Sequence, residues 1–201
     1  MNKKPLFSEE IFRNRIRKVK ERMDHAGMEL LLVMDPANMN YLTGYDGWSF
    51  YVHQGVVVFL DADRPLWFGR QQDSNGAKLT TWLSEEDIYG YPDQYVQSRY
   101  THTMRWVSDL LREKGWDRRR LAVEMDGYWF SARMYLILAE ELPRARLTDG
   151  TNLVNWVRAV KSPAEIAVMR EAARICEKTM KTAIDAIAVG TPQKEAATRV
   201  C

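Results

Sequence analysis

Residues 30–60 read LLLVMDPANMNYLTGYDGWSFYVHQGVVVFL, two apolar runs bracketing a polar and aromatic middle. The first run, Leu30 to Met34, is short, unbroken and ended by Asp35-Pro36. An apolar run of that length with a breaker at its end predicts a strand buried on both faces. Gly55 to Leu60 predicts another. Asp61-Ala62-Asp63-Arg64-Pro65 then predicts a turn, with Leu66 to Phe68 returning as a hairpin partner. Between the two strands stand Tyr41, Tyr45, Trp48, Phe50 and Tyr51, with His53 behind them. Rings this dense usually belong to a core, yet Gly44, Asp46 and Gly47 mark a chain that turns.

Outward from this segment, helices and strands alternate. Ser8 followed by Glu9 and Glu10 predicts a helix start, a capping hydroxyl and then acids at the positive end of the dipole. Phe12, Ile16, Val19 and Met23 recur at helical spacing, and Gly27 supplies the stop. The basic residues between Arg13 and Arg22 read as a solvated helix face. Downstream, Ile88 to Tyr91 predicts a weaker strand, Tyr100 to Lys114 a helix and Leu121 to Met125 a strand. Phe130 to Leu142 predicts a helix closed by Pro143, and Ala145 to Leu147 a short strand. Alternation of this kind predicts an α/β layer fold, and the hairpin makes its sheet mixed, flanked by helices.

The bulk numbers fit that reading. Of 201 residues, 46% are apolar and 28% charged, a globular composition. A net charge of +2 gives no reason to expect a nucleic-acid or membrane partner. No apolar run has the length of a transmembrane helix, and the first residues, MNKKPLFSEEIF, lack the apolar core of a signal peptide. The two cysteines, Cys176 and Cys201, make no framework, so a reducing cytoplasm is the expected location.

After about residue 150 the texture changes. Asn152 to Val160 predicts a short helix, interrupted by Lys161-Ser162-Pro163. Ser162 then caps a long helix to about Ala188, with Pro163 at its first position and Glu165 in its first turn. Ile166, Met169, Ala173, Cys176, Met180, Ala183 and Ile187 form an apolar stripe along it, and Gly190-Thr191-Pro192 restarts a further helix. That last pattern stops at Cys201 without a cap. The expected organisation is therefore a first domain over 1–160 and, over 161–201, the incomplete opening of a second.

No catalytic constellation is visible. His25, His53 and His102 do not pair with one another or with a cysteine at a zinc-ligand spacing, so no metal site is expected in this chain. A phosphate loop and a G-x-S-x-G elbow are both absent. Glu85, Glu86 and Asp87 read as a solvated turn. Glu124 and Asp126 end a strand, where an acid more often caps something than binds a ligand. His25 suits a helix C-terminus, and His102 reads as a surface residue opening a helix.

Three motifs carry a family resemblance. Residues 35–45, DPANMNYLTGY, resemble the N-x-x-Y-L-T-G-[FY] element of the creatinase N-terminal domain, which precedes the catalytic domain in creatinase, prolidase and aminopeptidase P relatives. Residues 157–173, VRAVKSPAEIAVMREAA, resemble the junction where the pita-bread catalytic domain of that M24-like family begins, and residues 189–197, VGTPQKEAA, its next helix start. Within the family, GYDGWSFYVHQGVVVF at 44–59 is most similar to the branch that hydrolyses the cyclic amidine ectoine.

The resemblance implies a hydrolase whose catalytic residues and any divalent metal lie beyond residue 201. This chain alone is then expected to be inactive, without catalytic residues or cofactor of its own. It also implies a homodimer in which this domain reaches over a neighbour's active site. The loop after the YLTG element would supply that cover, with Trp48, Tyr51 and His53 as candidate substrate-binding residues and Phe50 expected to be buried. If 48–53 continued as a strand into the apolar run, Trp48, Phe50 and Val52 would share one face. A Xaa-Pro peptidase of the same family and a non-catalytic binding module are the alternative readings.

Overall fold

The computed structural model describes residues 5–200. Its sheet contains β1 (Leu30–Val33), β2 (Gly55–Phe59), β3 (Leu66–Arg70), β4 (Ile88–Tyr91), β5 (Arg120–Val123) and β6 (Arg146–Asp149). The strands lie in the order β4-β3-β2-β1-β5-β6. β1 pairs antiparallel with β2, and β2 with β3, which is the predicted hairpin. The pairs β1–β5, β3–β4 and β5–β6 are parallel, so the sheet is mixed.

The central place of β1 explains its unbroken apolar sequence, since every residue of it is buried. Its alternate side chains serve opposite layers. Leu30 and Leu32 pack with Met104, Val107 and Leu111 of α4 (Thr103–Glu113) and Met134 and Leu138 of α5 (Ala132–Glu141). Leu31 and Val33 pack with Ile16, Val19 and Met23 of α1 (Glu9–His25) and Met39 and Leu42 of α2 (Pro36–Thr43). Ala77 of α3 (Ser74–Thr80) and Val154 and Val157 of α6 (Leu153–Ala159) complete that second layer. Fully burying each such aliphatic side chain stabilises the fold by roughly 1.5–3 kcal/mol.

Several local expectations are corrected. Asp35-Pro36 ends β1, but it also starts α2, a helix that the apolar pattern did not reveal. Asp35 Oδ1 accepts from the Asn38 amide at 2.9 Å and Pro36 occupies the first turn. Gly44 ends α2 with φ of +80°, where a side chain would press on the Thr80 carbonyl at 3.2 Å. Helix α3 was likewise unpredicted and has no side-chain cap. Ser8 precedes α1 without making a capping bond. Helix α4 begins after His102 rather than at Tyr100, because the His102 ring supplies the cap.

The chain divides into two compact units, one through Arg158 and one from Ala159. The second unit consists of α7 (Pro163–Ala186) and α8 (Gln193–Val200). Ser162 and Glu165 start α7 with a reciprocal cap: the Glu165 amide donates to Ser162 Oγ at 3.3 Å and the Ser162 amide to Glu165 Oε2 at 2.7 Å. Along α7, Met169, Ile175, Met180 and Ile184 are exposed. No helix among the described residues is long and apolar enough to cross a membrane.

Candidate functional site

Because β1 and β5 are parallel and β2 runs against β1, the chain leaves β1 and β5 at the edge where it enters β2. Crevices at the carboxyl ends of parallel strands are the usual ligand sites of open α/β sheets. Here that edge is locked by one buried acid. Glu124, directly after β5, is 5% exposed. Its carboxylate accepts from the Met34 and Asp35 amides at 2.7 and 2.9 Å and from Asn38 Nδ2 at 2.7 Å. Asn38 also donates to Asn155 Oδ1 at 2.7 Å and accepts from Arg158 Nη1 at 2.6 Å. Burial pushes the Glu124 carboxyl above its ordinary value, while the N–H groups aimed at it pull the other way. The acid that ends β5 therefore caps the chain leaving β1, as its position suggested.

The ring-rich segment divides in two beyond that lock. Tyr41 and Tyr45 are buried, and the Tyr45 ring lies 5.1 Å from that of Trp67. Burial pushes the Tyr45 phenol up to about 12. Asn40 Nδ2 donates to the Tyr45 carbonyl at 3.1 Å and holds the turn. The chain then leaves the core. Trp48 is 55% exposed, Tyr51 56% and Phe50 85%.

Two expectations fail here. Residues 48–53 form no strand, since regular pairing begins only at Gly55, and the predicted alternation of faces does not arise. Phe50 is not the buried ring. Val52 takes the core position, while Ser49 Oγ accepts from the Val52 amide at 3.0 Å and bends the chain so that Phe50 projects. Trp48 packs edge-on against Phe50, with ring centroids 4.4 Å apart.

Phe50 borders a crevice of about 510 Å³. Met34, Pro36 and Met39 form one side, Ser49, Phe50 and His53 another, and Tyr128, Trp129 and Ser131 a third. Of the candidate residues, His53 lines the crevice. Trp48 reaches it only through its contact with Phe50, and Tyr51 lies outside its lining. Phe50, Tyr128 and Trp129 were missed as site residues. The one sequence cue to the last two is their place on a turn just past a strand-ending acid.

His53 and His102, distant in sequence, meet here with ring centroids 5.0 Å apart. Thus His102 is a partly buried helix cap and not a surface residue. His102 Nδ1 accepts from the Met104 amide at 3.1 Å, so its neutral ring carries the proton on Nε2. Burial, then His53, Arg133 and Arg105, pushes His102 down to about 4, and burial lowers His53 as well. Both imidazoles are therefore neutral near pH 7, and His53 offers the crevice one donor and one acceptor. Among the described residues no group of three or more His, Cys, Asp or Glu could hold a metal ion. The acidic run at 85–87 is not simply solvated either: Arg64 bridges Glu86 and Asp87 at 2.6 and 2.5 Å.

The family model described as the creatinase/prolidase N-terminal domain matches residues 15–160. The chain belongs to that family. This creatinase/prolidase N-terminal domain is 43% identical over 190 residues to an ectoine hydrolase of Halomonas elongata, covering 94% of the chain and 47% of the relative. It is 42% identical to a hydrolase/peptidase of uncharacterised function from Sinorhizobium fredii, covering 96% of the chain and 50% of the relative. The chain thus spans about half the length of these curated relatives. Among solved structures, a Xaa-Pro dipeptidase from Bacillus anthracis superposes with a TM-score of 0.71 at 18% identity over 94% of the chain and 47% of its own, a likeness of fold.

Proposed function

We propose that this chain is the N-terminal part of a hydrolase of the M24 family that opens the ring of ectoine, and that its aromatic crevice forms part of the cover over the active site in a cytoplasmic homodimer. The observation that carries the reading is the 43% identity to an ectoine hydrolase together with a loop that presents Trp48 and Phe50 outward. Ectoine carries a planar amidinium cation and a carboxylate. Aromatic faces attract such a cation by about 2 kcal/mol when water is excluded. His53, neutral near pH 7, donates a hydrogen bond to the carboxylate and adds no charge to be desolvated. The apolar wall of Met34, Met39 and Met134 keeps water out and strengthens both contacts.

In this reading the domain binds, orients and dehydrates the substrate, while bond cleavage belongs to residues outside the chain. A Xaa-Pro peptidase is the second reading, favoured by the dipeptidase fold likeness. The deciding experiment assays the full-length enzyme with ectoine beside a Xaa-Pro dipeptide. Ectoine turnover with kcat/KM at least tenfold above that for the dipeptide is expected; the reverse preference replaces this reading with the second.

A further inference from the structure

The turn after β5 carries two rings, Trp129 partly packed on the core and Tyr128 wholly in solvent. Tyr128 is 100% exposed, and Trp129 stands edge-on to it with centroids 6.3 Å apart. The turn is held, not loose. The Gly127 amide donates to the Glu124 carbonyl at 3.1 Å, the Phe130 amide to the Gly127 carbonyl at 3.0 Å, and the Asp126 amide to Thr151 Oγ1 at 3.1 Å. Phe130 anchors its far end in the core. A fully exposed ring gives the fold no burial energy, so its presentation on a fixed turn calls for another explanation.

That explanation lies across the crevice. Tyr128 and Trp129 border the same 510 Å³ space as Phe50 and His53, a volume within the usual range for small-molecule sites. The Tyr128 turn is tied to a neighbouring side beneath: Glu124, at its root, bonds the backbone leaving β1 and the Asn38 side chain of α2, next to Met34, Pro36 and Met39. The Tyr128 turn is therefore placed against β1 and α2 before any ligand arrives, which lowers the ordering cost of binding on that side.

We propose that Tyr128 and Trp129 are specificity-determining residues of this site, forming with Phe50 an aromatic slot for a small, flat, delocalised cation that also bears a carboxylate. The inference rests on the function proposed above and extends it to residues of a second loop. A slot between ring faces favours a planar amidinium, whose charge spreads over the plane. The compact ammonium of a dipeptide keeps its hydration and gains less from the same faces. In this proposal Tyr128 acts through its ring, which Tyr128→Phe keeps and Tyr128→Ala removes.

The test uses the full-length enzyme and the variants Tyr128→Ala, Tyr128→Phe and Trp129→Ala, with kcat and KM measured for ectoine and for a Xaa-Pro dipeptide. Tyr128→Ala is expected to raise KM for ectoine about tenfold, the loss of one desolvated cation–π contact, with kcat within about twofold. Tyr128→Phe keeps the ring and should keep the wild-type KM. Trp129→Ala should raise KM at least as much, and its melting temperature reports any loss of fold. Tyr128 is the cleaner probe because it contributes no packing. Wild-type turnover of ectoine with KM within about twofold in both alanine variants overturns the slot while leaving the proposed function standing. A wild-type enzyme inert on ectoine overturns the proposed function, and with it the cation slot.

Discussion

Within one short segment the molecule uses aromatic rings in two different ways. Tyr41 and Tyr45, on either side of Gly44, are buried against the sheet and its helices. Trp48, Phe50 and Tyr51, only a few residues on, stand in solvent. The chemistry of the side chains is nearly the same; what differs is whether the backbone beneath them is paid for by packing. The inner rings hold the end of α2 and the start of the loop in place. Phe50 contributes little to folding and Trp48 and Tyr51 only part of what a buried ring would, so the exposed faces are left for what they meet outside the chain.

Variants can break or sharpen this division. The largest expected effect belongs to the inner half. Tyr45→Ala removes a ring packed on Trp67 and should cost about 3–4 kcal/mol, lowering the melting temperature by roughly 10 °C. A loss below about 1 kcal/mol would mean that the inner ring is as dispensable to the fold as the outer ones.

Next comes the lock between the two loops. Glu124→Gln keeps the shape but sets its amide NH2 against either the two backbone N–H groups or Asn38 Nδ2, donor against donor, and should destabilise by about 2 kcal/mol in a denaturant titration. If the variant is as stable as the wild type, the turn after β5 is held against β1 and α2 by something other than this acid.

A smaller effect is expected from pH. His102 and His53 both titrate below the usual histidine value in the folded chain, so between about pH 6.5 and pH 4 the unfolded chain binds more protons. The His102 contribution is complete above pH 6.5 and is lost as pH falls toward about 4, and that of His53 is lost in the same direction. For rings that remain partly exposed the loss amounts to about 1 kcal/mol. His102→Asn retains an acceptor at the helix cap and removes the nearby titration, so its melting temperature should fall less steeply over that range. An unchanged slope would show that the pair does not govern acid sensitivity.

The sequence made the layers legible because the core strands carry their own signal. Leu30 to Val33 and Gly55 to Phe59 are buried along their whole length and read as unbroken apolar runs. Helix α7 was equally plain from Ser162, Pro163 and Glu165, which act within a single turn. Helices α2 and α3 escaped because one is short with a mixed face and the other is uncapped. The site was legible only as a loop rich in rings. That Val52 and not Phe50 turns inward depends on a bend fixed by Ser49, and no periodicity reports a bend. The meeting of His53 with His102, and of Phe50 with Tyr128 across one crevice, depends on strand order, because β5 lies beside β1 although α2, β2, β3, α3, β4 and α4 intervene in the chain.

The most direct test pairs the two halves of the loop in the full-length enzyme, measuring melting temperature and KM for ectoine in Phe50→Ala and in Tyr45→Ala. The account predicts that Phe50→Ala melts within about 2 °C of wild type yet raises KM about tenfold, while Tyr45→Ala loses roughly 10 °C. A Phe50→Ala enzyme with wild-type KM, or one that melts as early as Tyr45→Ala, would contradict it.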